Sequence, residues 1–376
     1  MLDILLRGGR VVDPLQGIDE VLDIGIAGGR IACCGREVAG EGAREVVDCR
    51  GYVITPGLID FHAHFFWQKS SLGIFPDPTY LPTGVTGAVE AGSAGVADLE
   101  LLLLSLSQTI ITSRALVYLF PEGLEAAVGR GEVAAADVER LAREIAAHRD
   151  RLLGVKLRLS RGVVPGDGLE LLRTGLEAAE RSGTRLVVHV TNPPCPLEEI
   201  LQLLRPGDIV AHVYHGRGDT ILDPAGCIKE QVWAARKRGV FFDAANGNNH
   251  FSFEVARKAI EQGFLPDVIS TDLTAKTMWL PKVYNLPHVL SKYLAMGLSL
   301  GDCIYRASTV PARLMGLGNG CGTLKEGSAA DVAVFKMERA GRTYYDSAGA
   351  ALTASTVLVP VLTVKSGVIV YRSQLL

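Results

Sequence analysis

The sequence of 376 residues lacks C-x-x-C spacing, an excess of basic residues and a long uninterrupted apolar run. Its seven cysteines are an odd number, which favours a reduced protein over a disulfide scaffold. The 38 Lys and Arg residues against 41 Asp and Glu residues give a net charge of −3, so no basic surplus exists to bind a phosphate backbone. We therefore expect no nucleic-acid partner.

The most apolar stretch, residues 99–117, is interrupted by Glu100, Gln108 and Arg114 and is therefore a poor membrane span. The N-terminus carries Asp3 before the apolar core of a signal peptide could form. Hydrophobic residues make up 48% and charged residues 21%, as in globular proteins rather than disordered chains. These features favour a soluble cytoplasmic protein with no membrane partner.

Both ends of the chain have the texture of antiparallel β-structure. Residues 1–54 and 321–376 alternate apolar and polar residues in short runs that are separated by glycine. Each end is small for a stable core of its own, although two independent β-modules are the alternative. We predict that the two ends together form one small β-sandwich domain.

The middle of the chain, residues 55–320, repeats a different pattern. Short β-branched runs alternate with amphipathic helical segments, among them 133–148, 169–181, 225–238 and 253–262. The predicted strands are 52–61, 85–90, 115–120, 154–160, 185–190, 208–214, 240–244 and 268–272. Eight such units in this length predict an α/β fold, a distorted (β/α)8 TIM barrel. Periodicity alone leaves a doubly wound open sheet as the alternative.

Histidine placement is the most informative feature of this middle region. His62 and His64 form an H-x-H pair at the end of the first predicted barrel strand, where residues two apart point to the same side. Four more candidate ligands lie in or at the end of the fourth, fifth, sixth and eighth strands, and they are Lys156, His189, His212 and Asp272. In a barrel these strand ends meet at one mouth, whereas an open sheet would separate strands one and eight. Each residue alone has an ordinary structural explanation, but together they predict a metal site.

These residues resemble those of the amidohydrolase superfamily, in the binuclear subtype with a carboxylated lysine. The resemblance covers essentially the whole chain and rests further on segments 54–64, 311–317, 322–324 and 327–332. Segments 84–86, 90–95 and 252–256 are similar to the amidohydrolase/deacetylase branch, whose members are often labelled dihydroorotase-like. One activity associated with that branch is deacetylation of α-acyloxy or α-acylamino carboxylates.

The resemblance implies two divalent metal ions, with Zn²⁺ favoured by the ligand types and Mn²⁺, Fe²⁺ and Co²⁺ left open. His62, His64 and Asp272 would hold one ion, and His189 and His212 the other. Carbon dioxide would enter as the carbamate of Lys156, an anionic group that can bridge both ions. A shared hydroxide would attack the acyl carbonyl, and Asp272 would carry its proton to the leaving group.

The substrate is expected to be a small molecule that carries a carboxylate. Arg158 lies two residues after the candidate lysine on the same strand face and is a candidate carboxylate ligand, with a salt bridge in the barrel mouth as the alternative. Asn246 and His288 are further candidate substrate contacts. Asn246 also departs from the histidine-glycine turn that related sequences often have after strand seven.

Two other functions are considered beside the deacetylase-like hydrolase. A cyclic amidohydrolase of the dihydroorotase or hydantoinase kind is the alternative within enzymes. Dihydroorotases typically have an arginine two residues after the H-x-H, and here the continuation is Phe65-Phe66-Trp67. A non-catalytic scaffold paralogue is the other alternative, which the complete set of six candidate ligands disfavours. Self-association is compatible with this architecture.

Overall fold

The computed structural model describes residues 1–40, 42–125, 135–318 and 320–376. Its strands, in chain order, are β1 (Ile4–Asp13), β2 (Ile18–Ala27), β3 (Arg30–Gly35), β4 (Glu45–Asp48), β5 (Val53–Pro56), β6 (Leu58–Ala63), β7 (Val85–Ala91), β8 (Thr112–Tyr118), β9 (Leu152–Arg158), β10 (Arg185–His189), β11 (Ile209–Ala211), β12 (Phe241–Asp243), β13 (Val332–Tyr345), β14 (Ala351–Lys365) and β15 (Val368–Arg372).

The α-helices of the described residues are α1 (Pro76–Tyr80), α2 (Leu99–Ser107), α3 (Val138–Ala147), α4 (Leu169–Arg181), α5 (Leu197–Leu203), α6 (Glu230–Lys237), α7 (Phe253–Glu261), α8 (Leu286–Ala295), α9 (Leu300–Ile304) and α10 (Val310–Leu314). The helix predicted over 133–148 begins at Val138, and residues 133–134 lie outside the described part of the chain. Within that part, every helix is too short or too polar to cross a membrane.

Strands from both ends of the chain form one sheet, in the order β15–β14–β13–β5–β1–β2–β3, with β4 added beside β1. Its buried face joins apolar side chains from the two ends, such as Leu6 and Ile24 with Val332 and Val364. β4 and β5 run parallel to β1, which corrects the prediction of antiparallel strands throughout the N-terminal region. The shared sheet agrees with the predicted joining of the termini, while its division into the two layers of a sandwich stays a prediction.

The middle of the chain forms a curled parallel sheet of seven strands, in the order β12–β11–β10–β9–β8–β7–β6. The eighth predicted strand, 268–272, is not a strand. This segment still bonds to both edges of the sheet, through the isolated bridges Asp243–Val268 and Ala63–Leu273. The backbone of Asp272 has φ 53°, outside the extended region, which explains why the segment cannot continue as a regular strand.

The strand predicted over 52–61 is two strands, because the chain changes sheets at Gly57. β5 belongs to the terminal sheet and β6 to the parallel sheet, with only this glycine between them. A Cβ atom at Gly57 would lie 2.6 Å from Cγ2 of Thr86, a contact that real side chains do not make. Glycine therefore lets the chain cross closely over β7 before it presents the H-x-H pair.

The hairpin of β13 and β14 extends beyond the terminal sheet and lies against the helices that follow the parallel strands. Leu358 N donates to Oγ of Ser291 in α8 at 2.9 Å. Phe253 N, at the start of α7, donates to Oδ2 of Asp346 in the hairpin turn at 3.0 Å. The C-terminal residues thus fix the positions of α7 and α8.

Candidate active site

The first group of candidate ligands forms where β6 ends. His62 and His64 are both buried, and Nε2 of each faces Oδ1 of Asp272, at 3.8 Å and 3.3 Å. Nζ of Lys156 lies 2.9 Å from Nε2 of His62. The H-x-H pair and Asp272 together offer two nitrogen atoms and a carboxylate within reach of one ion.

Two buried carboxylates orient these histidines, and sequence reasoning missed both. Oδ2 of Asp243 lies 3.0 Å from Nδ1 of His62, so an ionised Asp243 accepts the Nδ1 proton and leaves the Nε2 lone pair for a metal. Ser93 Oγ lies 2.8 Å from Nδ1 of His64, and this hydroxyl also donates to Glu90. Both could have been found from their positions in the sequence, because Asp243 and Glu90 lie at the carboxyl ends of parallel strands, as the candidate ligands were predicted to do.

Electrostatics at His64 favour a positive charge. Burial lowers the pKa of His64, but hydrogen bonds and charges of Asp272 and Glu90 outweigh this effect and raise the pKa to about 9. Burial raises the pKa of Asp243 to about 7, because few charges compensate its carboxylate. A bound cation would compensate the negative charge of the buried carboxylates Asp243, Asp272 and Glu90.

Lys156 lies on β9 with 2% of its surface exposed. Burial lowers its pKa to about 8, against the opposing charges of Asp272, Asp243 and Glu90. Desolvation therefore favours the neutral amine, which is the form that can add carbon dioxide. The predicted carbamate position is chemically consistent with this environment.

A second group contains His189, His212 and His250, each with one ligand atom within 4.8 Å of the others. His212 has φ 68°, and its Nδ1 donates to the carbonyl of Ala245 at 2.7 Å, which leaves Nε2 free. Nε2 of His189 is buried without a hydrogen-bond partner among the described atoms. Burial lowers the pKa of all three rings, that of His250 to about 4, so they are neutral donors suited to a metal. Sequence reasoning left His250 without a role.

The segment that carries Asp272 is held in place by Asp60, a buried carboxylate on β6. Its oxygens accept from N and Oγ1 of Thr271, at 3.0 Å and 2.5 Å. Asp272 N in turn donates to the carbonyl of His62 at 2.7 Å. The positive φ of Asp272 is thus maintained by bonds on both sides, and its carboxylate is directed at the histidines.

All six predicted ligands line one cavity of about 290 Å³, together with Arg158 and His250. The remaining described lining residues are Leu72, Leu124, Asn248, Asn249, Thr274, Lys276 and Thr277. Arg158 lines the cavity, and its Nε is buried without a hydrogen-bond partner among the described atoms. The cavity combines a cluster of metal-type donors with two cationic side chains and a short apolar wall.

Comparison with known proteins agrees with this geometry. Residues 53–370 match the model of the amidohydrolase family. The chain belongs to the amidohydrolase family. It is 28% identical to a protein named deacetylase from Enterococcus faecalis, over 97% of this chain and 98% of that protein. A crystal structure of an adenine deaminase superposes with a TM-score of 0.90 at 28% identity, covering 99% and 100% of the two chains. A crystal structure of a dihydroorotase gives a TM-score of 0.87 at 28% identity, covering 98% of each.

The protein is therefore a hydrolytic enzyme that acts on C–N or ester bonds. This finding removes the scaffold alternative. Members of the amidohydrolase family generally bind a divalent metal ion, and the two donor groups of this amidohydrolase fit that requirement. Two structural observations support this fit. Nε2 of His189 is buried without a hydrogen-bond partner among the described residues, and Oδ1 of Asp272 faces Nε2 of both His62 and His64.

Two predicted substrate contacts of this amidohydrolase are not among the described residues that line the cavity. Nδ2 of Asn246 donates to the carbonyl of Ser270 at 3.2 Å and the amide is fully buried. His288 lies in α8, where Nε2 bonds the carbonyl of Pro281 at 2.8 Å. In this structure, Arg158 lines the cavity, whereas Asn246 and His288 are not among its described lining residues.

Proposed function

We propose that this amidohydrolase is a binuclear metal-dependent deacylase that hydrolyses an ester or amide bond of a small carboxylate-bearing substrate. The observation that carries the proposal is one cavity that holds both donor groups and is also lined by Arg158, whose Nε has no hydrogen-bond partner among the described residues. The family resemblance supplies the residue assignments, and that arrangement supports them. Zn²⁺ is the favoured metal because the donors are imidazole and carboxylate.

His62, His64 and Asp272 would hold one ion, and His189 and His212 the other, with Lys156 between them as a carbamate. The bound ions would supply Lewis-acid polarisation of the scissile carbonyl and a lowered pKa for a water molecule. Asp243 would keep Nδ1 of His62 protonated. The chain's own contribution to the metals is therefore ligand geometry and ligand tautomer.

Asp272 would act as the general base and then as the general acid. Its side chain is 12% exposed and lies between the two donor groups, so a reacting water can reach it. It would take one proton from water as the water oxygen bonds to the acyl carbon, and give that proton to the leaving oxygen or nitrogen as the acyl–oxygen or acyl–nitrogen bond breaks. Hydrolysis is then balanced without a serine or cysteine nucleophile.

Substrate recognition would rest on charge and size. Arg158 and Lys276 place two cationic groups on the cavity wall, and Leu72 and Leu124 provide an apolar surface for a short acyl group. A cavity of about 290 Å³ is at the small end of ligand sites. Neutral adenine has no anionic group to pair with these cations, so we do not favour the activity named for one structural neighbour.

The test uses purified protein reconstituted with Zn²⁺ and a panel of N-acetyl amino acids and O-acetyl 2-hydroxy acids of both chiralities. Each acid is paired with its uncharged carboxamide as the matched control. We expect hydrolysis of members of the acid panel, with kcat/KM at least about tenfold lower for the amides because a charge-assisted hydrogen bond is lost. Equal rates on both panels would remove the carboxylate from the proposal.

Cyclic amide hydrolysis is the second candidate, favoured by the structural likeness to a dihydroorotase. The sequence after the H-x-H argues against it, because Phe65 and Phe66 are buried apolar residues where an arginine would be expected to meet a ring carboxylate. Dihydroorotate, hydantoins and adenine therefore belong in the same panel. Turnover of cyclic amides alone would replace the deacylase proposal.

We also propose the domain division that the sequence suggested. Residues 1–54 and 321–376 would form the composite β-domain, and 55–320 the catalytic barrel. The pairing of β5 with both β1 and β13 supports the first unit. The contacts of segment 268–273 with both edges of the parallel sheet support the second as a closed, distorted barrel.

A further inference from the structure

His250 lies in the loop that follows β12, at the same mouth as the parallel strand ends. Its ring centroid is 4.8 Å from that of His189 and 4.3 Å from that of His212. Its side chain is 17% exposed, and that surface borders the cavity. Three imidazoles therefore converge where the family pattern calls for two.

The orientation of the His250 ring is fixed from behind. Nδ1 lies 2.9 Å from Oγ1 of Thr191, which follows β10 two residues after His189. This bond leaves Nε2 facing the cavity, 3.7 Å from Oδ2 of Asp272. Ligating histidines in proteins commonly have the opposite ring nitrogen held in this way.

Gly247 provides an independent observation about the same approach. It has φ 54°, and a Cβ atom there would lie 2.5 Å from Oδ2 of Asp272 and 2.6 Å from Cδ2 of His250. The space that a side chain would fill is taken by the imidazole and the carboxylate. The loop is thus shaped to bring His250 against the donor cluster.

We propose that His250 is a third histidine ligand of the second ion, beside His189 and His212. This inference rests on the proposed binuclear function. Three protein donors with an open position are the usual first shell of a catalytic zinc ion. The second ion would therefore be retained without the carbamate of Lys156, whereas two histidines alone would not retain it.

The experiment measures Zn²⁺ bound per chain, and the Zn²⁺ dissociation constant by competition with a chromophoric chelator, on full-length protein depleted of metal and reconstituted. We expect two ions in the wild type and in Lys156→Ala, and one ion in Lys156→Ala/His250→Ala. With Lys156 intact, His250→Ala is expected to weaken the second ion at least about 10–100-fold, the loss typical of a mere outer-shell partner. Thr191→Val, which removes only the anchor of the ring, is expected to weaken the same ion by roughly tenfold.

His148→Ala is the matched control, since this histidine lies at the end of α3 and its ring bonds only the carbonyl of Glu144 among described atoms. It is expected to keep two ions with unchanged affinity. Circular dichroism of each variant checks folding, and Thr191→Val keeps the test decisive if the double variant fails to fold.

Unchanged zinc affinity in both His250→Ala and Thr191→Val would overturn the inference and leave His250 as a substrate contact, with KM as its readout. Loss of the second ion in Lys156→Ala would overturn it as well. A wild-type protein that takes up fewer than two ions would instead refute the binuclear function itself, so the two failures are distinguishable.

Discussion

At the scale of single residues, Asp272 has two duties that a variant can separate. Its carboxylate faces both histidines of the H-x-H pair and is also the proposed proton carrier. An amide at this position keeps an oxygen donor but cannot accept a proton in the reaction. Asp60 accepts hydrogen bonds from Thr271 and so holds the backbone beside Asp272, and we expect the substituted side chain to keep its position.

We expect Asp272→Asn to lower kcat by about 10²–10⁴-fold, the usual contribution of a general acid–base group. Steady-state kinetics with the best substrate of the acid panel measures this, together with zinc per chain. A variant that keeps two ions and the wild-type kcat would contradict the role.

Arg158→Met is expected to raise KM by roughly 10–100-fold with a smaller effect on kcat. The reason is that the lost interaction, a charged hydrogen bond worth about 1.5–3 kcal/mol, is made before and during the reaction alike. Arg161→Met, at an exposed position three residues on, is the matched control and should leave KM unchanged. Equal KM values for the two variants would show that Arg158 does not bind substrate.

The period of two in a strand explains the inferred side-chain directions of His62 and Lys156, which lie in β6 and β9. His212 and Asp272 were predicted from strand ends, but both lie outside the strands and have a positive φ. His250 was not inferable in this way, since a loop residue has no period. Its approach depends on Gly247 and Thr191, which the chain brings near it only after folding. Asn246 lies after strand β12 as expected, but its side chain is buried, bonds the carbonyl of Ser270 and is not among the described residues that line the cavity.

At the scale of elements, α8 contains an unusual buried charge. Lys292 is fully buried, its Nζ donating to the carbonyl of Lys282 at 3.2 Å and lying 4.2 Å from the ring centroid of Phe251. Burial lowers its pKa to about 7, although the charge of Asp346 in the hairpin turn opposes the shift. His288, one turn earlier, faces the same region and is neutral because burial lowers its own pKa to about 3.

We expect Lys292→Met to raise the melting temperature, with a gain that shrinks as the pH rises from 7 towards 10. The unfolded lysine keeps its ordinary pKa near 10.4, so folding in this window must release a proton, and the release costs less as the pH increases. Below pH 7 both states bind the proton and the gain is constant. Thermal unfolding of both proteins across this range measures the effect, and a pH-independent difference would show that Lys292 is charged in the folded state at pH 7–10.

Element boundaries were harder to predict than element types. Apolar runs identified seven of the parallel strands, but the run over 52–61 gave no sign that Gly57 divides it between two sheets. The segment 268–272 has the composition of a strand, yet its bonds to Asp60 and His62 hold Asp272 in a left-handed conformation. Tertiary hydrogen bonds overrode local propensity at Asp272, whereas the close approach of Gly57 to Thr86 marks the change of sheet in the other run.

At the scale of the whole molecule, metal removal should affect stability as well as activity. A metal bound only by the folded state adds to its stability by mass action. We expect a chelator to lower the melting temperature and abolish hydrolysis, and Zn²⁺ to restore both. Mg²⁺, which prefers oxygen ligands, serves as the control and should restore neither. Full activity after complete metal depletion would contradict the proposed mechanism.

The strand order of the terminal sheet constrains when its strands can pair during translation. β5 bonds on one side to β1, which is translated before it, and on the other to β13, which is translated only after the whole parallel sheet. During synthesis, β5 therefore lacks its partner β13 until the strands of the parallel sheet have been translated. The turn of the β13–β14 hairpin also binds the start of α7, where Phe253 N donates to Asp346, close to the loop of His250. A ribosome stalled before position 346 would hold a chain whose active-site region still lacks the hydrogen bond between Phe253 and Asp346.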